Sequence, residues 1–254
     1  MAGELWCIRC GHLPYEEGRQ LQVQLEAERQ ADQVPDVLLL LEHFPVYTKG
    51  RRSRPEELPM GEDWYRMQGI EIADADRGGS VTYHGPGQLV GYPIVSLRPY
   101  RDDVHSYVRR LERVMIDAMS DLGVGAGVIE GLTGVWAGEG LPPAGATAAD
   151  VAPELAAGTL RKIGSIGVHI SRGVTTHGFA INVNNDLQPF EWIVPCGIQG
   201  CRMTSVCREL GEVQDMNLFM DAVTARFAEI YERTPVAREL TELAERPAEG
   251  ASVT

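Results

Sequence analysis

Arg161-Lys-Ile-Gly-Ser-Ile-Gly-Val-His-Ile-Ser-Arg-Gly-Val-Thr-Thr-His-Gly-Phe-Ala-Ile-Asn-Val183 is the stretch on which the fold turns. Two runs, Arg161 to Ser171 and Val174 to Val183, read as strands with only Arg172-Gly173 between them, which predicts a hairpin. So short a connection forces antiparallel neighbours, because parallel ones need a crossover of a dozen residues or more. Upstream lie short strands at Val124 to Ile129 and Thr133 to Trp136. Before them, residues 103–122 form the clearest helix, with Tyr107, Leu111, Val114, Met115 and Ala118 on the 3.6-residue period. Farther out are strands at Leu5 to Cys10, Val37 to Glu42, Gly69 to Asp74 and Gln88 to Leu97. Helices are predicted at Tyr15 to Gln33, Gly61 to Met67 and from an Asp215 cap to Tyr231. The order predicts an α/β fold of mixed, largely antiparallel sheets flanked by helices, not a Rossmann fold. One domain over residues 1–235 is expected, with the Gly/Pro/Ala-rich 138–158 as a flexible loop and 236–254 as a fraying polar tail.

Composition narrows the function. The 254 residues are 44% apolar and 23% charged, which excludes disorder as the main state. Acidic residues outnumber basic ones 36 to 23, a formal charge of −13, so a nucleic-acid partner is not expected. The longest wholly apolar run, Val37 to Leu41, falls far short of the roughly 20 residues that span a bilayer, and residues 1–10 carry no targeting pattern. A soluble, cytoplasmic protein without a membrane partner is expected. Five cysteines are an odd number for a disulfide framework and read as thiols in a reducing compartment.

Three segments carry candidate chemistry. Arg77-Gly-Gly-Ser-Val-Thr-Tyr-His-Gly-Pro-Gly-Gln88 mixes glycines, which let backbone approach a ligand, with polar side chains that a plain turn does not need. It matches neither a P-loop nor a dinucleotide-binding pattern, and a long hairpin turn is the alternative. Lys162 and Lys49 are the only lysines among the 23 basic residues; Lys162 opens a strand of small and apolar residues, either as a usable base or as a surface residue. Cys196, in Ile193-Val-Pro-Cys-Gly197, sits on a stiff corner, as an activated nucleophile or an inert buried thiol. His84 and His177 are alternative bases. Cys7-Ile-Arg-Cys10 has no second pair with zinc-site spacing, and no metal is expected. Lys49-Gly-Arg-Arg-Ser-Arg54 is the one basic patch able to attract an acidic partner.

In family order, these segments and four more stretches resemble the lipoyl(octanoyl) transferases: Leu38 to Gly50, Gly91-Tyr-Pro-Ile94, Gly134-Val-Trp136 and Thr176-His-Gly-Phe-Ala-Ile-Asn182. The departures are the length of 138–158 and the extra thiols Cys201 and Cys207. The resemblance implies a fold like the catalytic domains of biotin and lipoate protein ligases, with Cys196 as nucleophile and Lys162 as its partner. Substrate contacts would fall on Arg77, Gly78, Gly79, Ser80, Val81, Thr82, Tyr83 and His84, on Ser165, Ile166 and Gly167, and on Gly178, Phe179 and Ala180. It implies transfer of an octanoyl or lipoyl group, through a cysteine thioester, from acyl carrier protein to a lysine of lipoyl domains. Acceptors would be 2-oxoacid dehydrogenase complexes and the glycine cleavage H protein, and no cofactor is needed. The alternative on the same fold is an ATP-dependent lipoate-protein ligase.

Overall fold

The computed structural model describes residues 3–100, 103–141, 143–195 and 201–244. Its strands are β1 (Gly3–Leu13), β2 (Asp36–His43), β3 (Val46–Lys49), β4 (Glu71–Asp74), β5 (Val81–His84), β6 (Gln88–Ile94), β7 (Ala126–Ile129), β8 (Leu132–Gly138), β9 (Leu160–Ser171), β10 (Val174–Asn182) and β11 (Arg233–Arg238). The helices are α1 (Tyr15–Gln30), α2 (Glu62–Met67), α3 (Val104–Asp121), α4 (Ala152–Ala157), α5 (Gln188–Glu191), α6 (Val206–Leu210), α7 (Met216–Ile230) and α8 (Leu240–Ala244). One sheet has the order β11-β1-β2-β6-β10-β9-β8-β7, and a smaller one the order β4-β3-β5. Only β11/β1, β1/β2 and β3/β4 pair in parallel, so the sheets are mixed and largely antiparallel, as the spacing predicts.

The β9–β10 hairpin turns on Arg172 and Gly173, with φ of 50° and 82°. Two positive φ values are what a two-residue turn needs to match the right-handed strand twist. The unbroken run Val37 to Leu41 also has a plain cause, since both faces of β2 are covered. Val37, Leu39 and Leu41 pack with Leu25 of α1, whereas Leu38 and Leu40 pack with Leu111 and Met115 of α3 and Phe219 and Phe227 of α7. Asp103 and Asp215 cap α3 and α7 by accepting from Ser106 N and Asn217 N, each at 2.8 Å.

Strands β3 and β5 are absent from the sequence reading. Each has four residues, and β5 lies inside the glycine-rich stretch, where turn residues mask the alternation. Tyr47, Tyr65, Tyr83 and Phe190 hold the small sheet by edge-on and tilted ring contacts, with Tyr47 donating to the Pro189 carbonyl at 2.6 Å.

Two other expectations need correction. The stretch 138–158 carries α4, and its Ala146 and Val151 are buried against Ile129, Trp136 and Leu160. Composition alone hid these two anchors among small residues. Nor are residues 236–244 a structureless tail: β11 runs parallel to β1, and Leu243 of α8 is buried in the α1-side core. This segment is polar because it is held by backbone pairing at a sheet edge, which needs no apolar face. Residues 245–254 of the expected tail lie outside the described residues.

The β11 edge also completes a buried ion cluster. Asp36, 2% exposed, accepts from Arg29 Nε at 3.0 Å, Arg233 Nε at 2.9 Å and Ser96 N at 3.0 Å. Removing one partner of a buried charge leaves it partly uncompensated. Arg233→Ala is expected to lower unfolding stability by about 3 kcal/mol, read from urea denaturation. An unchanged midpoint would show that Arg29 and Ser96 alone suffice for Asp36.

Candidate active site

Where the two sheets meet, a cleft forms from seven parts of the chain. Strand β9 contributes Lys162, Ser165, Ile166 and Gly167, and β10 contributes His177, Gly178, Phe179 and Ala180. Thr82 and His84 come from β5, and Arg77, Gly79 and Ser80 from the glycine-rich loop before it. Tyr15, Tyr92, Arg52, Gly131 of the β7–β8 turn and Leu132 and Thr133 at the start of β8 close the walls. The hairpin register places Ser165 opposite Ala180, Ile166 opposite Phe179 and Gly167 opposite Gly178, and all six residues line the cleft. The loop is drawn onto β9 by Gly78 N, which donates to the Val168 carbonyl at 3.0 Å. A Cβ on Gly167 would stand 2.8 Å from Arg77 Cδ and 3.0 Å from Gly78 O, so the approach requires glycine there.

Alternation along β5 divides the expected contacts. Thr82 and His84 face the cleft, while Val81 and Tyr83 are buried on the other side with Tyr47 and Phe190. Arg77, 7% exposed, donates to Thr48 O at 2.7 Å, Thr48 Oγ1 at 2.6 Å, and Gly78 O and Ser80 O at 3.0 Å. It braces the loop that it opens.

Lys162 is 2% exposed, and its Nζ donates to the Thr133 carbonyl at 2.8 Å and lies 5.7 Å from the Trp136 ring centre. Its backbone pairs with the segment after the cysteine corner: Lys162 N donates to Arg202 O at 2.8 Å, and Thr204 N to Lys162 O at 2.9 Å. Cys196 itself lies outside the described residues, where the chain resumes at Cys201. Cys7 and Cys10 contribute nothing to the cleft. They sit on opposite faces of the large sheet, and burial pushes their thiols up to about 11 and about 12.

The histidines are fixed in neutral or paired forms. His84 Nδ1 donates to Gln88 Oε1 at 2.7 Å; Gln88 is oriented by donating to Tyr83 O and Asn182 Oδ1. Burial, followed by the neighbouring His43 and Arg77, pushes His84 down to about 3. His43 donates from Nδ1 to Leu13 O at 2.9 Å and accepts from the Tyr92 hydroxyl at 2.7 Å, and burial lowers it to about 4. His177, with φ of 55°, bonds through Nε2 to Asp76 Oδ1 at 2.6 Å, which holds the Asp76 carboxyl down at about 2. Of the basic patch, Lys49 is tied to Glu62 at 2.9 Å and Asp74 at 3.3 Å, whereas Arg51, Arg52 and Arg54 are exposed and Arg52 reaches the cleft. Sequence reasoning missed Tyr15, Tyr92 and Gly131–Thr133, which lie in no polar motif and reach the cleft only through strand pairing.

Comparison with known proteins agrees with this geometry. Residues 14–228 match the lipoyl protein ligase A/B catalytic domain, and the chain belongs to that family. It is 42% identical over 226 residues to an octanoyltransferase of Koribacter versatilis, covering 88% of this chain and 83% of that one. An octanoyltransferase of Thermobifida fusca is 45% identical over 222 residues, at 86% and 84% coverage. These relatives make the chain an acyltransferase. Among solved structures, a bipartite lipoate protein ligase of Thermoplasma acidophilum superposes with a TM-score of 0.67 at 18% identity, covering 95% and 88% of the two chains. Lipoate-protein ligase A bound with ATP gives 0.64 at 17%, covering 95% and 90%. At that identity the likeness establishes the fold, an α/β ligase-type catalytic domain. No described helix is long and apolar enough to cross a membrane.

The neutral histidines make acid stability a direct readout. A folded-state pKa below the unfolded value contributes stability that is complete above about pH 6.5 and is lost as pH falls toward 4 for His43 and 3 for His84. Asp76 loses its contribution only below about pH 4. Acidification from pH 7 to 4.5 should therefore cost on the order of 2 kcal/mol per histidine. His43→Gln should be less stable at pH 7 yet lose less on acidification; equal losses in both proteins, by urea denaturation, would contradict the assignment.

Proposed function

We propose that this chain transfers an octanoyl group from acyl carrier protein to a lysine of lipoyl domains, through a thioester on Cys196. The observation that carries the reading is Lys162, held inside a cleft of small and apolar residues, in a chain 42–45% identical to octanoyltransferases. Ile166, Phe179 and Ala180 line the cleft and offer apolar wall for an acyl chain.

Chemistry proceeds in two displacements. Lys162 accepts the Cys196 proton as the sulfur attacks the donor thioester carbonyl; the new carbon–sulfur bond replaces the old, and the carrier sulfur leaves with the proton. The acceptor amine then attacks the acyl-enzyme. A carbon–nitrogen bond forms, the carbon–sulfur bond to Cys196 breaks, and Lys162 moves the amine proton to the departing thiolate. Neutral His84, bonded through Nδ1 to Gln88, lies in the wall and shapes it. The acceptor class is supported by the fold shared with the Thermoplasma acidophilum ligase, solved as part of a lipoylation system with its E2 lipoyl domain.

Mixing with octanoyl acyl carrier protein should give an octanoyl adduct on Cys196 that hydroxylamine removes, by intact mass and peptide mapping. An adduct on Cys201 or Cys207, or one retained in Cys196→Ala, would reject the nucleophile. A transfer that requires ATP would favour the ligase reading. Lys162→Arg keeps the charge but cannot cycle a proton. It and Lys162→Ala should both fold and lose on the order of 10²- to 10⁴-fold in transfer rate.

Exposed Arg51, Arg52 and Arg54, of which Arg52 lines the cleft, fit the docking of an acidic carrier against a chain of charge −13. Reversal of all three to Glu should raise KM for the carrier-bound donor, less so at high salt, and spare octanoyl-CoA. Equal losses with both donors would make the patch structural.

A further inference from the structure

Glu112 stands on α3, outside every motif of the cleft, and its side chain is 1% exposed. A carboxylate so placed is costly unless its oxygens are bonded. Oε2 accepts from Arg109 Nη1 at 2.6 Å, and Oε1 accepts the backbone N–H of Gly134 at 3.1 Å. That N–H belongs to the same peptide unit as the Thr133 carbonyl, to which Lys162 Nζ donates at 2.8 Å. A trans peptide is planar, with its N–H and C=O pointing opposite ways, so this one unit lies between the carboxylate and the amine. Each bond polarises the amide in the sense that strengthens the other. Gly134 has φ of 118°, and a Cβ there would stand 2.7 Å from Lys162 Cε and 2.5 Å from Gly164 O. Glycine lets the turn lie against the lysine stem, but a peptide flanked by glycine also rotates easily unless its ends are held.

We infer that Glu112 is a positioning residue for Lys162: through the Thr133–Gly134 peptide it fixes the carbonyl that sets where Nζ stands in the cleft. The inference rests on the reading that Lys162 moves protons in the transfer. A tether of helix to strand alone would require neither a carboxylate nor this particular peptide as its target. The bond from Glu112 reaches the backbone unit whose other end bonds the lysine.

The test is octanoyl transfer to a lipoyl domain by Glu112→Ala, Glu112→Gln, Lys162→Ala and the Glu112→Ala/Lys162→Ala double variant, with thermal melts to establish folding. Glu112→Ala should lower kcat about 10- to 100-fold, the cost of a misplaced reacting group, and leave KM for the donor within about twofold. Glu112→Gln keeps an oxygen for the Gly134 N–H and should recover to within about fivefold of the parent. In the Lys162→Ala background, loss of Glu112 should change the residual rate less than about twofold, because effects through one residue do not add. If Glu112→Ala does not fold, the same cycle with Glu112→Gln decides, its loss disappearing once Lys162 is gone. Independent losses in the cycle, or a folded Glu112→Ala with parental kcat beside an inactive Lys162→Ala, would overturn the inference alone. Parental transfer by Lys162→Ala would reject the proton role and the inference together.

Discussion

A lysine amine kept out of water is the constraint around which the cleft is built. Lys162 is 2% exposed, and an ammonium or amine so placed is stable only where acceptors and packed apolar surface replace its hydration. The Thr133 carbonyl supplies an acceptor, the Trp136 ring a face, and the backbone of residues 202–204 a second strand-like edge. None of these belongs to the strand that bears Lys162. Strand β8, α3 behind it and the segment 202–204 are all needed to hold one side chain.

The rest of the wall follows from how closely backbones approach. Glycines at 167 and 178 face each other across the β9–β10 hairpin, and the glycine-rich loop closes onto β9 because no side chain stands between. Arg77 then acts less as a projecting cation than as a brace, its guanidinium bonded to backbone carbonyls of the loop and to Thr48. A loop tied down at both ends can present Ser80 and Thr82 in fixed positions, the preorganisation that makes polar groups effective at a site.

Electrostatics divides the molecule between interior and mouth. His43 and His84 are held neutral by desolvation, with His43 and Arg77 adding to the effect on His84. Charges that remain inside, such as Asp36 and Glu112, are paired through arginines at the surface side of their elements. Arg51, Arg52 and Arg54 are exposed, with Arg52 lining the cleft, on a chain that is otherwise strongly acidic.

Much of this was legible in the chain itself, and the reasons are local. Hairpin spacing at Arg172-Gly173, the 3.6-residue period of 103–122, the Asp215 cap and the doubly buried run Val37 to Leu41 each leave a mark within a dozen residues. So do the glycine-rich stretch and Lys162, both of which lie on the cleft. Strands β3, β5 and β11 left none, because they are short or polar and are held by backbone pairing with partners far away in sequence. For the same reason the anchors Ala146 and Val151 were hidden within a stretch of small residues. Which face of β5 meets the cleft, that Tyr15 and Tyr92 wall it, and that Glu112 reaches the peptide holding Lys162 depend on strand register and on α3 packing across the sheet. Those are distances between residues tens of positions apart, set by the summed packing of both sheet faces, and no local pattern of residue types encodes them.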